Sequence, residues 1–179
     1  MKAKRLFTAI LLPEETKDVL SQKADEIRDI GRRGRFVSPQ NYHLTLNFIG
    51  ETEREVDIIE VIKSVRIPYM VLELAALNLF HRASGDILIV QLKENPALNK
   101  MQKELAKKFW EAGFELESRT YTPHLTLARN IKVDTRMISS DWKSAGRFEV
   151  DGLSLMESCF SKVGGISYEE RFFLSCSCD

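Results

Sequence analysis

The apolar residues change their spacing along the chain, and each change marks an element. Arg5 to Leu12 is a nearly continuous apolar run closed by Pro13, the pattern of a buried strand. Val19, Leu20, Ala24, Ile27 and Ile30 then recur near helical spacing and predict a helix over Glu14–Ile30, stopped by Gly31 and Gly34. Ser38-Pro39-Gln40-Asn41 is turn material, and HLTLNFIG from His43 to Gly50 alternates as a strand does. Glu53–Val65 predicts a second helix. Pro68–Leu79 and Asp86–Leu92 predict a hairpin around the polar turn His81 to Gly85. Asn95-Pro96 opens a third helix over Ala97–Ala112, with Leu98, Met101, Leu105, Ala106, Phe109 and Trp110 on its apolar side and Gly113 as its stop. After Thr122-Pro123 a second HLTL runs from His124 to Leu127, and two more strands are expected around Phe148–Met156 and Tyr168–Ser175.

Strand, helix and HLTL strand thus recur, with the two histidines 81 residues apart. Neither half is large enough to bury its own sheet comfortably. The expected fold is therefore α+β: two pseudo-symmetric lobes whose antiparallel sheets line a central cleft with helices outside, forming one bilobal domain over residues 1–179.

Composition narrows the function classes. The 26 basic and 26 acidic residues cancel, which excludes a global field that would draw the chain onto long nucleic acid and makes any such contact local. No apolar stretch approaches the roughly 20 residues that cross a bilayer. The basic start Met1–Arg5 leads into an apolar run too short for a signal peptide. Cys159, Cys176 and Cys178 are an odd set that fits no disulfide framework and suits a reducing cytoplasm. The Cys-Ser-Cys end lacks the four ligands of a structural metal site, so ordinary thiols are expected. A monomer with no cofactor and no obligatory protein partner is the simplest reading.

In a strand successive side chains alternate faces, so His43 and Thr45 project together while Leu44 and Leu46 anchor the other face; His124 and Thr126 repeat this. Two converging imidazoles suit phosphodiester hydrolysis. One, neutral, takes a proton from water while the other, charged, gives one to the leaving oxygen. Both states are accessible at an ordinary imidazole pKa of about 6.5. The threonine hydroxyls can hold non-bridging phosphate oxygens. Purely structural histidines and a metal site are the competing readings, the latter lacking a nearby carboxylate. Strict alternation puts Arg129 on the leucine face, so it reaches the cleft only if the strand twists or ends. Phe7 and Tyr168 are candidates for stacking a terminal base, against ordinary core packing. The basic Arg32, Arg33 and Arg35 are either RNA-backbone contacts or a solvated linker, and His81 reads as a solvated turn residue.

With both motifs read, the chain resembles the 2H phosphoesterases, specifically the RNA 2′,3′-cyclic phosphodiesterases once called 2′-5′ RNA ligases. The resemblance runs from RLFTAILLPEE (5–15) through FVSPQNYHLTLNFIG (36–50) and YTPHLTLAR (121–129) to Ser158–Tyr168. Phe36 and Asn47 depart from it, standing where such proteins often carry tryptophan and lysine. It implies a bilobal fold, metal-independent opening of cyclic phosphate ends of RNA to 2′-phosphates, and weak reversible 2′-5′ ligation. It also implies His43 as proton donor and His124 as acceptor, with Thr45 and Thr126 on the phosphate. Sequence leaves the two histidine roles exchangeable. It also leaves open other 2H activities on 2′-5′ linkages or small cyclic nucleotides, and a noncatalytic RNA-end binding module.

Overall fold

At the centre of one nine-stranded antiparallel sheet lie β3 (His43–Thr52) and β6 (His124–Arg129). Outward from them, β1 (Lys4–Leu11) is matched by β5 (Ile87–Leu92), β8 (Gly152–Phe160) by β4 (Val71–Phe80), and β9 (Ile166–Ser175) by β7 (Arg147–Glu149). A short β2 (Arg35–Phe36) lies on β6. This computed structural model describes residues 2–30, 34–117, 120–137, 146–160 and 165–177. Arg32, Arg33, Cys178 and positions 161–164 of the C-terminal motif lie outside the described residues.

The two arms meet through one described pair, Leu44 opposite Leu125. Beyond that seam the strands diverge, and the divergence makes the cleft. β1 buries Leu6 through Ile10 without interruption because it is paired on both edges, by β3 and β8. The expected strand over Phe148–Met156 is in fact two. Phe148 pairs with Leu72 at the edge of one arm, whereas Gly152 onward pairs with β9 and β1 in the other. Val150 and Asp151 carry the chain across. The arms are consequently not the two halves of the sequence, since the C-terminal strands return to the first arm.

Helix α1 (Glu14–Asp29) turns Leu20, Ala24 and Ile27 inward, and α2 (Glu55–Lys63) turns Ile58, Val61 and Ile62. Helix α3 (Pro96–Glu111) starts where Pro96 can occupy its first turn and the Asn95 side chain accepts from the Leu98 amide at 3.0 Å. It buries Leu98, Met101, Leu105 and Phe109. Trp110, expected on that side, is 74% exposed. One residue past Phe109 it lies about 100° round the helix, off the stripe. Two of the helices reach the opposite arm: α1 touches β6, and α3 touches β3.

Candidate active site

Both histidines open a central strand and face the cleft. The His43 Nδ1 lies 2.7 Å from the carbonyl of Asn41, and the His124 Nδ1 lies 2.7 Å from the carbonyl of Thr122. A carbonyl only accepts, so in each ring Nδ1 carries the hydrogen and Nε2 is left for chemistry. Thr45 and Thr126 share the histidine face, and Thr45 Oγ1 sits 3.0 Å from His43 Nε2. The leucines of both motifs are buried, as alternation requires.

Alternation fails after the fourth residue of each motif, and at the same place. Ala9 pairs with Thr45 and Thr8 with Asn47, so Leu46 is an extra residue in β3. Ile89 pairs with Thr126 and Leu88 with Ala128, so Leu127 is extra in β6. Each β-bulge re-aims the side chains beyond it. Arg129, which strict alternation would put among the leucines, lines the cleft instead; Phe48, the equivalent residue of the first motif, lines it too.

The two aromatic residues that the sequence offers alike, as base stackers or core, part in the structure. Phe7 is 1% exposed and has no free face for a base. Its ring is 5.0 Å from His43, 5.6 Å from Phe48 and 5.1 Å from Tyr168, so it braces the histidine. Tyr168 is half-buried, lines the cleft and sets its edge against His43 at 4.9 Å. Phe80 does the same for His124 at 4.8 Å, a contact across β4 and β6 that no local motif announces.

The cleft encloses about 1310 Å³. Arg5, Arg35, Arg82, Lys103 and Arg129 line it, against one carboxylate, Glu117, among the described residues. A chain of zero net charge thus concentrates positive charge at its cleft, which suits an anionic ligand. Burial, above all, holds His43 down at about 4, with Arg129 and His124 adding smaller repulsions against the carbonyl bond that favours charge. Burial also lowers His124, again with Arg129 contributing. A cluster of Glu157, Cys159 and Glu169 lies on the β8–β9 ladder and includes neither catalytic-candidate histidine. The Cys176 thiol donates to the Val150 carbonyl at 2.8 Å, and His81 is an exposed turn residue 3.0 Å from Asp86.

Comparison with known proteins matches this geometry to one family. The model of the 2′-5′ RNA ligase superfamily covers residues 16–158. The chain belongs to this superfamily. The 2H phosphoesterase resemblance of the two motifs therefore holds for most of the chain. Curated relatives in the superfamily include the RNA 2′,3′-cyclic phosphodiesterase of Aquifex aeolicus, 27% identical over 97% of this chain and 99% of its own length. That of Methanothermobacter thermautotrophicus is 33% identical over 70% of each chain. Among solved structures, Escherichia coli LigT in its apo form has a TM-score of 0.82 at 22% identity, covering 99% of this chain and all of LigT. LigT complexed with 3′-AMP gives 0.79. The α+β class, with antiparallel strands and helices outside, is as the sequence suggested, and the superfamily has this fold. No helix among the described residues is long and apolar enough to cross a membrane.

Proposed function

We propose that this protein is a hydrolase that opens 2′,3′-cyclic phosphate ends of RNA to 2′-phosphates without a metal, with His43 and His124 as the acid–base pair. The observation that carries the reading is the matched pair of carbonyl-held imidazoles presenting Nε2 to one cationic cleft. His124 Nε2 takes a proton from water as the water oxygen bonds to phosphorus. The bond from phosphorus to O3′ breaks, and O3′ takes the proton of His43 Nε2, leaving a 2′-phosphate and a 3′-hydroxyl. Thr45 and Thr126 hold the non-bridging oxygens, and Arg129 offsets the charge that grows on them. With a 5′-hydroxyl in place of water, the same steps bond O5′ to phosphorus as the bond to O3′ breaks and O3′ takes the proton, which is weak 2′-5′ ligation; run backward, they split that 2′-5′ bond and restore the cyclic phosphate. Both arms supply groups, so the working unit is one bilobal domain over residues 1–179.

The donor role fits a buried His43. In the free protein an uncompensated charge there is unfavourable, and the ring is neutral at pH 7. A phosphate anion beside it is felt most strongly where water is least present, so substrate charges His43 as it binds. The supporting experiment uses an RNA oligomer ending in a 2′,3′-cyclic phosphate, incubated with and without EDTA, with the terminal isomer identified. Conversion to a 2′-phosphate that survives EDTA is expected. A 3′-phosphate product, or loss of conversion in EDTA, would overturn this mechanism.

A further inference from the structure

The arms are finished differently. Beside β6, Arg35 and Phe36 of β2 pair with Arg129 and Ala128, whereas beside β3 the Leu46 carbonyl accepts from Gln102 Nε2 of α3 at 3.5 Å. The outermost strands differ more. β7 is three residues long and none of them lines the cleft; β9 is ten residues long, and Ile166 and Tyr168 at its start do.

In a flat sheet the register would keep the start of β9 far from the first histidine. His43 pairs with Leu11, five residues along β1 from Leu6, while Ile166 pairs with Phe160, three residues in the other direction from Glu157, the partner of Leu6. Eight residues of strand span roughly 25 Å. Yet Tyr168 sets its ring edge 4.9 Å from His43, and Asn41 Nδ2 donates to the Ile166 carbonyl at 2.7 Å. Twist accounts for the approach. Adjacent strands rotate by about 20–25°, so over the three steps from β3 through β1 and β8 to β9 the axes turn by about 60–75°. The arm curls, and the start of β9 crosses its cleft face as a roof on His43.

The Asn41 side chain is the clasp of that curl, joining residues 125 positions apart. Asn41 also supplies the carbonyl that fixes the hydrogen on His43 Nδ1, so one residue holds the ring by its main chain and the roof by its side chain. Thr122, 81 positions later, supplies the matching carbonyl to His124 and carries no amide. The bond that holds His43 is half-buried and the one that holds His124 exposed. We propose that Asn41 is a positioning residue, its amide keeping the start of β9 closed over His43, a role that rests on the acid–base reading above for its place in the reaction. With the roof closed, a phosphate anion acts on the ring across a medium poor in water, the condition for charging it on binding. Thr45, Thr126 and Arg129 lie on β3 and β6, so the hold on phosphate does not depend on the roof.

The test uses diethyl pyrocarbonate, which acylates neutral imidazole, at pH 7.5 without substrate, reading the rates at His43 and His124 separately by peptide mass spectrometry. Burial lowers both rings, so both are neutral there and the rates report access rather than charge. In the wild type His43 reacts more slowly than His124. Asn41→Ala, and Asn41→Asp, which keeps the shape without a donor, each raise the His43 rate by about twofold to tenfold, the shift of an open–closed equilibrium on losing one hydrogen bond, and leave His124 unchanged. On an RNA 2′,3′-cyclic phosphate Asn41→Ala lowers kcat and leaves KM near the wild-type value. An unchanged His43 rate, an equal rise at both histidines, an Asn41→Asp protein as protected as the wild type, or a loss carried by KM would overturn the proposal. If the wild type opens no cyclic phosphate while the acylation rates behave as expected, the roof stands and the phosphodiesterase reading fails.

Discussion

The two HLTL motifs are identical tetrapeptides in unlike surroundings. His43 lies against Phe7 and Tyr168 and is held down at about 4, while His124 meets one aromatic edge, from Phe80. After the bulge, the first motif presents Phe48 and the second Arg129. β2 closes the ladder beside the second motif, and the Gln102 side chain bridges beside the first. Repetition therefore sets where the imidazoles point, and the neighbours of each copy set what it can do. On the function proposed above, an apolar surround gives a proton site that responds to a bound anion, and a cationic one gives a phosphate holder.

That contrast can be broken at several points. The largest effect is expected from His43→Ala and His124→Ala, each lowering kcat by about 10²- to 10⁴-fold. The double variant should be little worse than either single, because the pair acts as a unit. Circular dichroism should show the fold of both single variants retained; an unfolded variant would make that histidine structural.

Next in size is a pH effect on stability. With His43 held at about 4 in the folded protein and near 6.5 in the unfolded chain, the unfolded state binds more protons between these values. The contribution is complete above pH 6.5 and is lost as pH falls toward 4, costing about 3 kcal/mol in all. Urea midpoints at pH 7 and 4.5 should differ more for the wild type than for His43→Ala. Equal differences would place the buried charge elsewhere.

The bulge residues sharpen the comparison. Arg129→Ala should weaken kcat/KM by about tenfold to hundredfold, with Arg129→Lys recovering only part of it, as expected for loss of a charged hydrogen bond. Phe48→Ala at the equivalent position should act mainly on stability, by about 1 to 2 kcal/mol, since the ring is 39% exposed and stacks on Phe7. The smallest expected effect is that of Gln102→Leu, which leaves the Leu46 carbonyl without its long bond and should cost about 1 kcal/mol in chemical denaturation. A Gln102→Leu protein as stable as the wild type would mean that this side chain is not standing in for a strand.

Much of the fold is legible in the sequence because the pattern repeats. Helical spacing locates all three helices to within two residues at each end, and the alternation of HLTL puts both His–Thr pairs on one face. The features that escape it are decided by partners distant in sequence. The bulges at Leu46 and Leu127 exist because β1 and β5 skip a residue there, and no local signal marks them; hence strict alternation assigns Arg129 to the leucine face. Val150 and Asp151 look like the interior of one strand, and only pairing shows the chain changing arms between them. Phe7 is a candidate base stacker on the strength of being aromatic. Its burial comes from β1 lying between two strands, which the sequence of β1 alone does not reveal.

The hydrogen on each imidazole is fixed by the main-chain oxygen two positions earlier. A ring oriented by a carboxylate side chain loses its orientation when one codon changes. Here the acceptor is present whatever residue occupies position 41 or 122, provided the strand entry keeps its path. The protonation geometry of both histidines is thereby shielded from point substitution, and drift at Asn41 and Thr122 can retune the cleft without changing which ring nitrogen carries the hydrogen.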